Sequence, residues 1–498
     1  MKQSILLFTL LCATTFTQAQ IGIGTSSPNV SAKLEISSTT QGLLPPRMTA
    51  LQRNAISTPV AGLMVWCSNC GSNGEIQIYN GTEWVNFIGG ARQLTAANST
   101  RLGADIDGEA QGDQSGYKVS ISSDGNIVAI GALNNSGGGS YAGQVRVYQY
   151  SNNAWAQIGA DIDGEDMNDQ SSRSVSLSGD GTTVAIGAPN NSGINGSYSG
   201  HVRVYRNVAG TWTKLGADID GEAASDRSGT SVAISSDGNI VAIGAPSNGG
   251  NGSNSGHVRV YQYSSSTWTK IGADIDGEAT NNDYNESGTA VAISSDGTTV
   301  AIGAPQNNNS NGSGSGQVRV YKNIAGTWTK LGADIDGEAG SDVSGTSVAI
   351  STDGTIVAIG APWNDGGGNS AGQVRVYQYS SSTWTKIGSD IDGSAASDQA
   401  GQSVAISSDG TIVAIGATQF SPFPWGPSYA GYVKLYKNIN GTWTLIGQKI
   451  EGEAARDASG SSVAISSNGT IVGIGAPYNS GVNGSGSGQV RVYLHNPL

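Results

Sequence analysis

Histidine, cysteine, methionine and phenylalanine are scarce in this 498-residue chain, at 3, 3, 4 and 5 residues, and charged side chains make up only 13% of it. With so few imidazoles and thiols, the one Cys-x-x-Cys pair lacks the two further ligands that a zinc site built on it would require. Charge at about half the roughly 25% of ordinary domains leaves little to coat amphipathic helices. Beyond the N-terminus no apolar run approaches the roughly 18 residues that a membrane-spanning helix needs. What the chain has instead is glycine, 74 residues, about twice the usual share but without the strict G-X-Y period of collagen. Short valine- and isoleucine-rich runs between Gly, Asn, Asp and Ser clusters point to an all-β chain of many short strands.

Lys2, the apolar residues 5–11 and the small-residue stretch ending Thr17-Gln18-Ala19 read as a secretory leader over residues 1–19. The expectation is an exported protein, secreted or held at the surface of a Gram-negative bacterium. Cleavage removes one of 25 cations and none of 38 acids, taking the net charge from −13 to −14. A surface of that sign repels phosphate backbones, so nucleic acid is not an expected partner.

The strongest signal is internal repetition. One unit recurs, complete in Asp218-Ile219-Asp220-Gly221-Glu222, Ser231-Val232-Ala233-Ile234, Asp237-Gly238, residues 240–246, residues 257–261 and Trp268-Thr269-Lys270. Its opening position falls at Asp105, Asp161, Asp218, Asp274, Asp334, Asp390 and Lys449, which makes seven copies. Each reads as four antiparallel strands, with Asp-Gly pairs marking hairpin turns between the first two. The expectation is a seven-bladed β-propeller over residues 99–498, preceded by a small β-rich head or stalk at 20–88 and a linker at 89–98. The first copy begins with an outer-strand fragment, Thr100-Arg101-Leu102-Gly103, and the last ends without one. That fragment is expected to complete the last blade and close the ring. Trp155, Trp212, Trp268, Trp328, Trp384 and Trp443 recur once per unit and read as packing between blades.

Ser228-Gly229-Thr230-Ser231-Val232-Ala233 and Val241-Ala242-Ile243-Gly244-Ala245-Pro246 resemble the FG-GAP repeat of integrin alpha-subunit propellers and their bacterial relatives. Gly22-Ile23-Gly24-Thr25 and Leu44-Pro45-Pro46-Arg47-Met48 look like the N-terminal region of bacterial surface and tail-fibre-like proteins. The resemblance implies adhesion or ligand binding, although a shared fold alone does not carry a function. The calcium loop of integrin-type blades is not retained here. It has shrunk to Ser-Ser-Asp-Gly, and one carboxylate does not supply the six to eight oxygens that calcium takes.

Strand alternation puts the variable second loops and the acidic connections between blades on one rim, the expected binding face. On an extended segment Asp218, Asp220 and Glu222 share a side. Their repulsion is relieved either by Arg259-type partners and backbone amides, the favoured reading, or by a bound calcium ion. Otherwise no cofactor is required. The second loop of the sixth unit carries Phe420, Phe423 and Trp425, with Trp363 and Tyr478 in the flanking units, an aromatic sector suited to stacking on a sugar or anchoring a protein. Packing against the head or one another is the structural alternative. Cys67 and Cys70 read as an exported clip, disulfide or thiol, across a turn. His201 and His257 replace the glutamines of other units and do not look like a unique base or ligand. No nucleophile elbow, zinc motif or phosphate loop is present. The expectation is therefore a non-catalytic binding protein for a surface glycan or protein. The alternatives are a carbohydrate-active enzyme with its site in the central channel, and a purely structural surface component. The oligomeric state is not legible.

Overall fold

The computed structural model describes residues 21–23, 34–36, 40, 44–70, 75–79, 81–82, 84–86, 99–278, 284–419 and 430–495. The leader at 1–19, the linker at 89–98, and Phe420, Phe423 and Trp425 lie outside the described residues. The chain divides into two compact units, residues 1–95 and 96–498.

In the N-terminal unit, strands Arg47–Met48, Met64–Cys67, Glu75–Tyr79 and Trp84–Asn86 form one sheet in that order. A five-residue helix, Ala50–Asn54, follows the first of them. Such a short helix depends on its cap. Thr49 and Gln52 supply a capping box, each side chain accepting from the other's backbone amide. Cys67 and Cys70 are joined as a disulfide, their Cα atoms 5.3 Å apart. Strands Ile21–Ile23 and Leu34–Ile36 make a separate parallel pair.

The described residues between 99 and 495 form seven antiparallel sheets, each a path of four strands, and in six of them a two-residue strand also pairs with the third. In the third, Ser231–Ile234, Ile240–Ala245, His257–Ser264 and Thr267–Lys270 pair in chain order. These residues form strands because β-branched side chains recur on a half-buried pleat, and Val241 and Val258 have no exposed surface. Each fully buried valine or isoleucine contributes about 1.5–3 kcal/mol, and the clusters they form bridge one sheet to the next. Ala242, Val258 and Val260 of the third pack on Val300 and Ile302 of the fourth.

The first turn is wider than the two-residue hairpin that the Asp-Gly pair suggests. It spans residues 235–239, and the Asp237 carboxylate accepts from Ser235 Oγ at 2.6 Å and from the Asn239 amide at 3.0 Å. Gly238 supplies the left-handed φ of +70°. The Gly-Ala-Pro motif has a different cause. A Cβ on Gly244 would collide with the backbone oxygen of Gly288, where the next sheet crosses it.

Closure is carried by hydrogen bonds. Around the first turns, the amides of Ser123, Gly179, Ser236, Ser295, Thr352, Ser408 and Ser467 each donate to the next carbonyl, and Ser467 returns to Ser123, at 2.7–3.0 Å. Strand Thr100–Arg101 pairs with Gln489–Leu494, and Leu102 N donates to Val492 O at 2.8 Å, so the N-terminal fragment completes the last sheet. The six recurrent tryptophans seal the outside. Each indole N–H donates across a junction, as Trp268 does to Leu215 O at 2.6 Å and Trp155 to Leu102 O at 2.7 Å. The result is a propeller-like ring of seven sheets.

Candidate functional site

Alternating strand directions place the second loops and the connections between sheets on the rim opposite the first turns. The two are laced together. Asn195, Asn251, Asn311 and Asn483 in the second loops donate to the backbone oxygens of Gly221, Gly277, Gly337 and Gly108 in the connections, at 2.6–2.8 Å. Each connection is itself part of the sheet edge, as where Ile219–Asp220 pairs with the start of strand His201–Val208. The rim is a set of hydrogen-bonded ridges.

The acids of one connection serve two junctions. Asp218 pairs with Lys214 on its own sheet at 3.0 Å. Glu222 reaches Arg259 of the following sheet at 3.2 Å, and Arg259 Nη2 also donates to Asp220 O at 2.8 Å. Asp226 is buried and accepts from Ala223 N and Asn248 Nδ2. The partners named by the structural reading are in place, and Asp218, Asp220 and Glu222 do not converge as a trio. The reason is local: the strand lasts only two residues before Gly221 bonds to Gly200 O, so Asp218 faces the second sheet and Glu222 the third.

Two mixed clusters appear instead, which sequence reasoning missed: Glu165, His201 and Asp218, and Glu222, His257 and Asp274. In each, one ligand atom from every residue lies within 4.8 Å of the others. Both histidines are held below the ordinary imidazole range, by burial first and by the neighbouring Arg203 or Arg259 second.

The aromatic sector is described only at its flanks. Trp363 and Tyr478 stand on the second loops of the fifth and seventh sheets, 53% and 45% exposed. The sixth sheet between them departs from the others. Six sheets place a buried arginine on the third strand (Arg146, Arg203, Arg259, Arg319, Arg375 and Arg491), and five of these lie within 3.2–3.8 Å of a connection glutamate. Here Lys434 and Ser394 replace the pair and hydrogen-bond each other. Tyr432 takes the Gln/His position and donates to buried Asp398 at 2.7 Å. Burial and then that carboxylate push the Tyr432 phenol well above its usual range, and burial lowers Lys434. The signal was in the sequence as a coupled exchange of Arg and Glu for Lys and Ser.

The start of the first two sheets adds cations: Lys118 stands where five of the other six copies have Ser, and Arg173 where the others have Tyr, Thr, Gln or Ser. Burial lowers Lys118, and Arg173 lies 5.2 Å over the Tyr117 ring. Arg173 too is lowered, by burial and then by Arg227. Among the described residues no helix is long and apolar enough to cross a membrane.

Two family models match parts of the chain: a phage tail like trimerisation region over residues 22–101 and an FG-GAP repeat over residues 213–261. No curated protein matches. Among solved structures, one described as a putative 6-phosphogluconolactonase from Bacteroides uniformis is 12% identical. It superposes with a TM-score of 0.47 over 78% of this chain and 94% of its own.

Proposed function

We propose that this chain is an exported, non-catalytic binding protein. Its seven-bladed, integrin-alpha-like propeller engages a surface glycan or protein through the rim that carries the second loops. The observation that supports this best is the rim itself: loops of uneven length are fixed by hydrogen bonds to the connections, and Trp363 and Tyr478 project from it on either side of the atypical sixth sheet. A rigid scaffold bearing exposed aromatics suits recognition, because aromatic anchors bury much area at small entropic cost. Recurrence of the same acids in five of the seven copies argues against catalysis, which needs a unique pair in distinct environments. The match of residues 22–101 to a trimerisation region supports a threefold assembly that presents three propellers at once, so that weak contacts gain by avidity.

The test is a glycan and protein binding screen with purified residues 20–498, with turnover of each bound polysaccharide followed in parallel. The reading expects saturable binding without turnover, a loss of at least tenfold in Trp363→Ala/Tyr478→Ala, and a sedimenting mass three times that of the chain. Turnover abolished by substituting a single acid would replace this reading with that of an enzyme.

A further inference from the structure

We infer that the second and third sheets each carry a site for a divalent first-row transition cation, built from an imidazole and two carboxylates. The third-sheet site is Glu222, His257 and Asp274; the second-sheet site is Glu165, His201 and Asp218.

The internal repeat supplies the control. At the first position of the third strand four sheets have glutamine, and in three of them its amide donates to the second aspartate of the following connection, as Gln144 does to Asp163 and Gln317 to Asp336, at 3.2–3.3 Å. His257 stands opposite the equivalent Asp276, yet its ring points Nδ1 towards Glu222 Oε2, 3.9 Å away. The glutamine sheets have the same acids but an amide in place of the imidazole, so a third ligand of this kind is present only in the two histidine sheets.

His257 is 1% exposed, and its Nε2 has no hydrogen-bond partner. The carboxylates keep an oxygen free. Arg259 takes Oε1 of Glu222, leaving Oε2, and Lys270 takes Oδ1 of Asp274. These ion pairs hold both acids in place. Zinc at about 2.0–2.2 Å from N and O donors holds them roughly 3.3–3.5 Å apart, so the three ligand atoms, which lie within 4.8 Å of one another, have to close by at most about 1.5 Å, and half-exposed Glu222 can swing to do so. A nitrogen donor favours zinc, cobalt or nickel over calcium, which takes oxygen. In the second sheet Lys214 engages both oxygens of Asp218, at 3.0 and 3.3 Å. A metal must displace it, so that site binds more weakly.

The experiment titrates untagged residues 20–498 with Co²⁺, followed by visible absorption, and with Zn²⁺, followed by calorimetry. Expected are two equivalents with unequal affinities. His257→Gln should lose the tighter and His201→Gln the weaker, and the double variant should bind neither. Because glutamine fills this position in four sister sheets, the variants should melt like the parent without metal. Calcium should neither bind nor raise the melting temperature. No binding by the parent at millimolar metal, or an unchanged stoichiometry in the double variant, overturns the proposal.

Discussion

His495 sits where the two ends of the ring meet. It has no exposed surface, its amide donates to Thr470 O at 2.6 Å, and its Nδ1 lies 3.2 Å from Ser99 Oγ on the closing segment. Burial lowers its pKa from 6.5 to about 4. The unfolded chain therefore binds a proton that the folded ring refuses between those values, so the stability from this group is complete above about pH 6.5 and is lost as pH falls towards 4. A shift of that size is worth about 3 kcal/mol as an upper bound. His201 and His257 titrate in the same direction, so the comparison is best made in a His201→Gln/His257→Gln background. Urea unfolding there at pH 7.5, 6, 5 and 4.5 should show stability falling through this window. Adding His495→Leu should flatten the fall by about 2–3 kcal/mol, with some loss at neutral pH from the missing Ser99 contact. If both backgrounds have the same slope, His495 is not buried neutral and the ends do not meet as described.

Three further outcomes follow from the same geometry. Hydrogen bonds from neighbouring hydroxyls and amides outweigh burial at Asp124, Asp180, Asp237, Asp296, Asp353 and Asp409 and hold them below the usual carboxylate range. A second loss of stability is therefore expected below about pH 4, as these turns protonate. Asn468 makes the same turn in the seventh sheet, so Asp237→Asn should change stability at pH 7 by less than about 1 kcal/mol and reduce that acid-limb loss, both read by denaturant titration. Trp268→Phe keeps a ring beside Tyr263 but removes the bond to Leu215 O, and should cost about 1 kcal/mol in the same assay. Removal of residues 99–105 strips the last sheet of its outer strand and should lower the melting temperature sharply; an unchanged melt would show that the fragment does not close the ring.

The fold was legible because it is written seven times. Spacing located the units, the position of Thr100 to Gly103 gave the closing strand, and the once-per-unit tryptophans gave the junctions. The turns were misjudged because Asp-Gly pairs occur in more than one hairpin class, and the flanking Ser235 and Asn239 side chains that widen this one are informative only once their bonds are seen. The site was less legible. Alternation correctly placed loops and acids on one rim, but it implied that Asp218, Asp220 and Glu222 act together, when a two-residue strand ending at Gly221 sends them to different junctions. His201 and His257 looked like mere substitutes for glutamine, because their significance lies in acids from two successive connections, Glu165 with Asp218 and Glu222 with Asp274, far apart in sequence. Tyr432, Lys434 and Ser394 were readable as a coupled departure of the sixth unit, though only the buried Asp398 shows what Tyr432 answers to.

Everything proposed for the rim depends on the ring being closed with seven members. Averaged electron-microscopy views of purified residues 20–498 measure this most directly. End-on projections should show seven spokes around a continuous ring. A different spoke number, or an arc with a gap between the first and last sheets, would contradict the account.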